Sequence, residues 1–475
     1  MVAGSRPSAS STTASWLPAS GRSVKTSTIL KSQAKLHLPA LHPIATEVSR
    51  SRTTARSGPG ALRILMLSHV PLVRELGEGR VCVELAEEFR KLGHTVKTFD
   101  WTDAFPGERP ARWHRLFPLR FAGRAREYVR RNHHRFDVID ALQGVGPLPK
   151  RRLGFDGLLV SRSAGLYAFY LRDLERQRQA WPERLPGTRA GKLLARWAQR
   201  RAAAACEASM MTADLVNVPN EDERSYLRDE LGIGDRCVVN PLGLSQDHSA
   251  ALGAAALPAA ERLERKEVVF IGAWSLRKGA ADWGAIVRRT RQLLPGTRFR
   301  FLGTGVEEDA VLADLRLPAA EGVTVVPRYA AGELPSLLAG ATVGALPSYI
   351  EGWGLGVLEQ LAAGVPTVAY DVSGPRSMLV QLDRELLCPP GDVERFSQLL
   401  AASLRLEPTA YAGLGSRCRE VASPFLWPVI ASETLERYSD ALRALAPQTE
   451  MRRSRPSDRL RADGMLTGTT DERRR

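Results

Sequence analysis

Glu351 and Glu359 stand on either side of a glycine-rich turn, and their chemistry suits a ligand that carries both phosphate and hydroxyl groups. Glu351 precedes the run Gly352-Trp353-Gly354-Leu355-Gly356, and Glu359 follows in the segment VLEQLAAG. Glycines directly before a helix let a phosphate approach exposed backbone N–H groups, and the helix dipole favours the anion. The two carboxylates add acceptors for hydroxyls. A diphosphate together with hydroxyls describes a nucleotide sugar.

A strand, a helix and a second strand are predicted around this turn. The segments ATVGALPS and PTVAYD are short, mostly apolar runs that indicate strands, and VLEQLAAG between them indicates a helix. The resulting βαβ unit would place one glutamate before the helix and the other on it. Taken singly, each acid could be a solvated side chain and the glycines only a tight turn.

As a set, these residues resemble the E-x7-E signature of retaining glycosyltransferases of family 4, whose members have the GT-B fold. The resemblance extends over about Leu62 to Leu445 and is denser after residue 267. The matching positions at the family's spacing are Pro347, Ser348, Glu351, Gly352, Gly354, Leu355, Leu358, Glu359, Ala362, Gly364, Pro366 and Val368.

The resemblance implies a role for each part of the motif. Glu359 would accept hydrogen bonds from the ribose hydroxyls of the nucleotide, and Glu351 would contact the donor sugar and stabilise an oxocarbenium-like centre. The backbone amides of Trp353, Gly354 and Leu355 would bind phosphate. Glycosidases place two carboxylates at one bond, whereas this pair would act at two different parts of the donor.

A second donor element is expected in EVVFIGAWSLRKGAADW, where Gly272, Lys278 and Gly279 recur at the family's spacing. Charge on a leaving diphosphate can be neutralised by lysine, arginine and backbone N–H groups, and the resemblance assigns this role to Lys278. An arginine usually follows the strand glycine, but Ala273 stands there. Arg277 is expected to compensate; an ordinary solvated loop pair is the alternative for Arg277 and Lys278.

The opening of the chain's first domain also fits the family, though more sparsely. ALRILMLSHV predicts a buried strand and GEGRVCVELAEEFRKLGHTVKTFD a glycine loop, an amphipathic helix and a strand. Only Gly77 clearly matches the family's glycine loop; the resemblance places it near the donor as a binding residue, and a tight turn explains it equally well. Ser161-Arg162-Ser163 stands where family members often carry a histidine, so the acceptor-side chemistry is not assigned.

The length of 475 residues predicts two domains. Strands that alternate with helices twice over predict an α/β protein with two doubly wound Rossmann-like domains facing a central cleft, and the resemblance implies that this is the GT-B fold. The expected parts are a disordered extension (1–60), an N-terminal acceptor domain (61–248), a linker (249–266), a C-terminal nucleotide-sugar-binding domain (267–424), a terminal helix packing back on the first domain (425–446) and a disordered tail (447–475).

Net charge and residue composition limit the classes of partner that are expected. The net charge of +15 indicates anionic partners or simply GC-rich coding. The stretches Arg109–Asp137 and Leu171–Ala205 are rich in arginine; peripheral contact with an anionic membrane and a solvated helix with an apolar core face are alternative interpretations. The chain has no apolar run of membrane-spanning length and no C-x-x-C pair, so a cytoplasmic protein is expected, without a protein-bound metal or other cofactor.

The sequence therefore predicts a retaining, hexosyltransferase-like enzyme of glycan biosynthesis. It would move a sugar from a nucleotide-sugar donor to an unidentified glycan, lipid-linked or small-molecule acceptor. A dehydrogenase would need G-x-G-x-x-G and a following acid, which neither RILMLSHVPLVRELGEG nor FLGTGVEED supplies fully. The other alternative is a non-catalytic basic RNA-binding or scaffold protein that kept the fold. Nucleic acid is not expected as a partner, because aromatic RNA-recognition signatures are absent.

Overall fold

The computed structural model describes residues 60–74, 77–107, 117–185, 187–317 and 321–453. The extension expected at residues 1–60 lies outside the described residues except for Gly60. The tail expected at residues 447–475 lies outside them from residue 454 onward, and its residues 447–453 are helical instead. Within the described part, the α/β class and the two Rossmann-like sheets are confirmed.

The first domain is built on a six-stranded parallel sheet with the order β2-β1-β3-β4-β5-β6. Its strands are β1 (Arg63–Leu67), β2 (Thr95–Phe99), β3 (Val138–Leu142), β4 (Leu158–Arg162), β5 (Leu215–Val218) and β6 (Cys237–Val239). Its helices are α1 (Gly77–Lys91), α2 (Trp101–Ala104), α3 (Phe117–Asn132), α4 (Lys150–Leu153), α5 (Tyr167–Ala180), α6 (Arg189–Thr212) and α7 (Glu221–Leu231). The inner strands β3 and β4 are buried along their whole length, as expected when helices cover both faces of a sheet.

The segment expected to be a linker contains two helices, α8 (Gln246–Ala254) and α9 (Ala259–Arg265). Arg262 on α9 is only 2% exposed. Its guanidinium donates to the carbonyl oxygens of Ala339, Ala363 and Gly364 at 2.9–3.2 Å. These bonds attach the segment firmly to the second domain, because a buried cation must find acceptors.

The second domain repeats the architecture with a six-stranded parallel sheet in the order β12-β11-β10-β7-β8-β9. Its strands are β7 (Glu267–Ile271), β8 (Arg298–Leu302), β9 (Val323–Val326), β10 (Val343–Leu346), β11 (Thr367–Tyr370) and β12 (Leu387–Cys388). Its helices are α10 (Trp283–Leu293), α11 (Glu308–Leu315), α12 (Leu334–Leu338), α13 (Leu355–Ala362), α14 (Ser373–Leu382), α15 (Val393–Ser403) and α16 (Pro408–Ala422). The sheet order reverses between β7 and β10, and ligands of doubly wound sheets bind at such a reversal, beyond the carboxyl ends of the strands.

A long helix, α17 (Trp427–Arg453), follows the second domain and packs on the first. Its Tyr438 ring lies edge-on to Phe89 of α1, with ring centroids 6.2 Å apart. The Tyr438 hydroxyl donates to Asp140 at 2.5 Å and accepts from Arg162 at 2.8 Å, and Asp140 and Arg162 form an ion pair at 2.8 Å. This fully buried polar network ties α17 to strands β3 and β4. None of the described helices has both the length and the apolar character that a membrane span requires.

Candidate functional site in the cleft between the domains

Lys278 and Glu351 come together at the reversal point of the second sheet. Lys278 ends a 3-10 turn (Leu276–Lys278) that follows β7, and Glu351 follows the neighbouring strand β10. The Lys278 ammonium donates to the Glu351 carboxylate. The sequence placed these residues 73 positions apart in two separate motifs, and the parallel pairing of β7 with β10 makes them partners.

The Glu351 carboxylate is buried but ionised. Burial alone would raise its pKa, yet Lys278 and Arg277 outweigh burial and hold the pKa below its usual range. For Lys278 burial dominates, so its pKa is lowered in spite of the carboxylate beside it. The site therefore pairs a fixed negative charge with a cation that is less strongly held in its charged form than an exposed lysine.

Arg277 lies beside the same carboxylate and also reaches the first domain. Its guanidinium is 3.7 Å from Glu351, donates to the carbonyl oxygen of Ile350 at 3.3 Å and lies 5.4 Å from the ring centroid of Tyr170 on α5. The sequence expectation that Arg277 lies near the donor element is consistent with this position. The uncharged Ala273 stands after the strand glycine, at the position where the resembled family usually has an arginine.

The glycine turn has the backbone geometry that a helix-end anion site needs. Gly354 has φ +89°, a left-handed conformation that favours glycine, and α13 begins at Leu355. The first amides of a helix have no intrahelical acceptor and point out of its N-terminus. The Trp353 ring is 4% exposed and packs edge-on against Phe425 at 5.0 Å, so Trp353 offers the cleft its backbone and not its side chain. Gly272 directly follows β7, with φ +152°, and lies beside the Lys278 stem.

Glu359 is held by a residue of the other domain. It lies on α13 and is 5% exposed. The Arg80 guanidinium on α1 of the first domain donates to its carboxylate at 3.1 Å, and Nε2 of His248 on α8 lies 3.5 Å from the same oxygen. The carboxylate expected to bind ribose is thus oriented by the first domain and by the connecting helix.

Sequence reasoning missed Arg80 and His248. Arg80 follows Gly77 by three residues in the segment expected to be a glycine loop, which forms the first turn of α1 instead, and nothing local pairs it with a glutamate 279 positions away. The structure also distinguishes the two glycines of this turn. A Cβ on Gly77 would meet no atom within 4 Å, whereas a Cβ on Gly79 would fall 2.5 Å from the carbonyl oxygen of Pro71. Gly79 is therefore required by packing, and Gly77 leaves open space.

The motif turn is in direct contact with the first domain. A Cβ on Gly352 would fall 2.1 Å from the carbonyl oxygen of Ala164, so only glycine fits. The side-chain amide of Asn220 donates to the carbonyl oxygen of Gly352 at 2.6 Å. Asn220 also caps α7 by accepting from the amide of Glu223. Close contact and a hydrogen bond thus fix the turn that carries Glu351 against the first domain.

A buried acid belongs to the same contact and was not expected from the sequence. Glu223 on α7 is 1% exposed, and burial raises its pKa to about 8 in spite of hydrogen bonds from Ser163 and Asn220. Ser163 donates to it at 2.8 Å. Within the segment Ser161-Arg162-Ser163, Arg162 pairs with Asp140 and Tyr438 in the buried network below α17, and Ser163 donates to Glu223.

Two cavities open next to the site. One of about 380 Å³ lies between the domains and is lined by Arg172, Arg176, Tyr349 and Ile350, the residue before Glu351. A second, of about 550 Å³, lies on the first domain between α5, α6 and α7 and shares Arg172 and Arg176 with the first. Among the described residues there is no cluster of three His, Cys, Asp or Glu side chains placed to bind a metal ion.

Comparisons with known proteins agree with this fold. Residues 265–405 match the family described as glycosyl transferases group 1. A glycogen synthase of Mycobacterium tuberculosis (strain ATCC 25618 / H37Rv) is 31% identical over 200 residues, which are 40% of this chain and 47% of that protein. A D-inositol 3-phosphate glycosyltransferase of Saccharomonospora viridis is 34% identical over 173 residues, or 34% of this chain and 38% of that protein. The chain thus spans less than half the length of these curated relatives.

Solved structures share the fold over most of the chain. Sucrose-phosphate synthase from Thermosynechococcus elongatus superposes with a TM-score of 0.62 at 18% identity, covering 80% of this chain and 100% of its own. Anabaena Alr3699/HepE in complex with UDP gives 0.54 at 17% identity, covering 80% and 100%. The catalytic domain of starch synthase IV from Arabidopsis thaliana, bound to ADP and acarbose, gives 0.57 at 14% identity, covering 80% and 99%. Residues 265–405 therefore resemble the glycosyl transferases group 1 family, and the chain that contains them has the GT-B glycosyltransferase fold.

Proposed function

We propose that this chain is a retaining glycosyltransferase of family 4 that moves a sugar from a nucleotide-sugar donor to a glycan, lipid-linked or small-molecule acceptor. One observation carries the proposal: the Lys278–Glu351 ion pair and the buried Glu359 flank the N-terminus of one helix, α13, at the reversal point of the second sheet. A cation, helix amides and two separate carboxylates match the diphosphate, the sugar and the ribose of such a donor.

In this proposal the donor is bound by complementary charge. The N-terminal amides of α13 and the Lys278 ammonium would neutralise the diphosphate, while Glu359 would accept from the ribose hydroxyls. Arg80 and His248 both approach Oε1 of Glu359, which leaves Oε2 to accept from a ribose hydroxyl. A carboxylate with one oxygen already fixed is preorganised for a bound hydroxyl, which reduces the cost of ordering it.

The chemistry follows from the positions of the two charges around the turn. As the bond between the anomeric carbon and the diphosphate oxygen breaks, positive charge develops on the sugar and negative charge on the leaving group. Glu351 would stabilise the first and Lys278 the second. Their mutual ion pair holds both side chains in place before the donor arrives, so little reorganisation is needed during the reaction.

The experiment is a thermal-unfolding panel with UDP, GDP and ADP sugars. A donor that binds only the folded chain stabilises it by about 2.7 kcal/mol at a hundred times its dissociation constant. We expect one nucleotide class to raise the melting temperature of the wild type and to raise that of Glu359→Ala clearly less, because the loss of a charge-assisted hydrogen bond worth about 1.5–3 kcal/mol should weaken donor affinity at least about tenfold. UDP and ADP, present in two structures that share the fold, are the first to test.

Glu267→Ala is the matched control, because Glu267 is a buried glutamate paired with Arg300 at the opposite end of β7. It should melt earlier but respond to the donor like the wild type. The proposed site would be refuted if no donor raised the melting temperature, or if a donor raised it equally in the wild type and in Glu359→Ala. A donor that binds but releases no nucleoside diphosphate with any acceptor class would leave the non-catalytic scaffold as the better account.

We further propose a cytoplasmic location. All five cysteines are buried and free, which suits a reducing compartment. Fractionation of cells that make the tagged chain would test it.

A further inference from the structure

Three large apolar side chains project from the start of α6. Leu193, Leu194 and Trp197 are 65%, 64% and 52% exposed, more than any other large apolar side chain in the described ranges. The other exposed ones, such as Val380 and Val429, are spread singly over the surface. Single exposed apolar residues are ordinary, whereas a contiguous group of them marks an interaction site.

The helix that carries this group has two apolar faces. Ala195, Ala198 and Ala202 are buried and face the body of the first domain. Leu193 and Trp197, one turn apart, lie on the other side of the helix, and Leu194 adjoins them. The small residues therefore serve packing within the domain, and the large ones are left for a partner outside it.

Cations border the exposed apolar face. Arg189, Arg196 and Arg200 are spaced by seven and four residues, so they form a row along one edge of the helix. Arg201 lies on the other side, with its guanidinium 5.6 Å from the Trp197 ring centroid. In the part of the chain that the structure describes, Arg196 is the only one of these four within ion-pair distance of a carboxylate, at 3.7 Å from Glu175.

We propose that the first half of α6 docks on an anionic lipid bilayer. Leu193, Leu194 and Trp197 would enter the boundary between head groups and acyl chains, and the arginines beside them would bind lipid phosphates. An apolar groove on a protein would bind the same three residues, but it would not call for a bordering row of arginines in which only Arg196 pairs with a carboxylate among the described residues. Tryptophan suits the bilayer boundary because its ring is apolar and its N–H is polar.

The structure separates this helix from the other arginine-rich stretch. In residues 120–132 of α3 the aromatic side chains are used inside the domain: Phe121 is fully buried, and Tyr128 stacks on Phe99 with ring centroids 4.3 Å apart. Trp113 lies outside the described residues, and so does the side chain of Phe117. Residues 120–132 therefore present charge without exposed aromatic residues.

Docking through α6 would also place a cavity near the lipid. Arg200 belongs to the basic row and, with Arg172 and Arg176, lines the cavity of about 550 Å³ on the first domain. The membrane-facing edge of α6 and the mouth of this cavity thus share a residue. Docking is independent of turnover, so its test neither needs nor tests the proposed transfer activity.

The first test is co-sedimentation of the full chain with vesicles of phosphatidylcholine alone or mixed with phosphatidylglycerol, at low and high salt. We expect binding to the anionic vesicles that weakens with salt. The variant Leu193→Ser/Leu194→Ser/Trp197→Ser should bind at least about tenfold more weakly, because each buried large apolar side chain contributes on that scale. Arg189→Gln/Arg196→Gln/Arg200→Gln should lose the preference for phosphatidylglycerol.

Two controls match these variants. Val380→Ser/Val429→Ser removes exposed apolar residues elsewhere, and Arg124→Gln/Arg130→Gln/Arg131→Gln removes the same charge from α3; both should bind like the wild type. The idea fails if the wild type does not bind anionic vesicles, or if the α3 variant loses as much binding as the α6 variants. Melting temperatures of all variants show whether any of them is unfolded.

The second test reports on the helix itself. All five native cysteines are buried, so Leu194→Cys would provide a selectively accessible thiol for an environment-sensitive dye. Anionic vesicles should shift the emission of the dye to shorter wavelengths, as apolar surroundings do. A dye attached through Val380→Cys should not shift. Vesicle binding without a shift at position 194 would show that another surface makes the contact.

Discussion

The guanidinium of Arg80 lies 3.1 Å from the carboxylate of Glu359, and this ion pair crosses the cleft between the two domains. Both side chains are largely buried, at 18% and 6% exposed. A carboxylate buried in this way needs a partner, because a charge taken from water is costly when it is left unpaired. The first domain thus contributes a side chain to a site for which the sequence named only Gly77 from that domain.

Arg80→Ala is therefore expected to destabilise the chain by about 2–4 kcal/mol, since it leaves Glu359 buried without its nearest cation. The measurement is thermal or urea unfolding in the absence of donor. Arg74→Ala is the control, because Arg74 pairs with Glu84 and Glu87 while half exposed, and exposed pairs contribute about 0–1 kcal/mol. Equal losses in the two variants would contradict the interdomain role of Arg80.

Lys278→Ala is expected to slow sugar transfer by at least about a hundredfold, because the developing charge on the leaving diphosphate loses its nearest cation. Steady-state kinetics with the identified donor would measure it. Lys150→Ala breaks a comparably tight ion pair, to Asp214 in the first domain at 2.6 Å, and should lower stability but leave kcat unchanged. If both lysine variants lose kcat alike, the effect is one of folding and not of chemistry.

How much of this site could be read from the sequence depends on the distance between the partners. The E-x7-E run and the segment around Lys278 are continuous, so their residue types and spacing were sufficient to predict the fold, which is confirmed, and to nominate Glu351, Glu359 and Lys278. Arg80 and His248 come from two distant segments without a local pattern. The alanine-rich composition of residues 249–266 is compatible with both a coil and a helix. The helical structure depends on packing against the second domain through Arg262, which the sequence does not show.

Gly352→Ala should disturb the contact between the domains. Its Cβ would fall 2.1 Å from the carbonyl oxygen of Ala164 and 2.6 Å from the Cα of Gly165, and backbone cannot move aside as a flexible side chain can. We expect a loss of about 1–3 kcal/mol in stability and at least about tenfold in kcat/KM as the Glu351 turn is displaced. Gly413→Ala on α16 is the control, because the added Cβ would meet no atom within 4 Å and the change should be neutral. Small-angle scattering of Gly352→Ala that shows no separation of the two domains would count against the contact.

Glu351→Gln should bind the donor within a few-fold of the wild type but transfer sugar at least about a hundredfold more slowly, because the lost charge matters most when positive charge develops on the sugar. Donor affinity by calorimetry and kcat by product formation separate the two effects. Glu267→Gln, a buried glutamate far from the turn, should keep kcat. An NMR time course should show the donor's anomeric configuration retained in the product; inversion would refute the retaining mechanism while leaving the fold unaffected.

Glu223 should make the stability of the chain depend on pH near neutrality. Burial raises its pKa from an ordinary value of 4.5 to about 8. A carboxyl group with a raised pKa favours the folded state in its neutral form. Its stabilising contribution is fully present below about pH 4.5 and is lost as the pH rises through about 8.

Glu223→Gln replaces the titrating group with a neutral side chain of the same shape. We expect the wild type and the variant to melt at similar temperatures near about pH 5, and the wild type to fall progressively below the variant toward about pH 9, since only the wild type must bury a charge. Ser163 can accept from the new amide, so the contact at 2.8 Å is preserved. Glu394→Gln is the control, because Glu394 is exposed and Arg289 lowers its pKa, so its removal should cause no alkaline divergence. Parallel melting curves for the wild type and Glu223→Gln over the whole range would show that Glu223 does not titrate there.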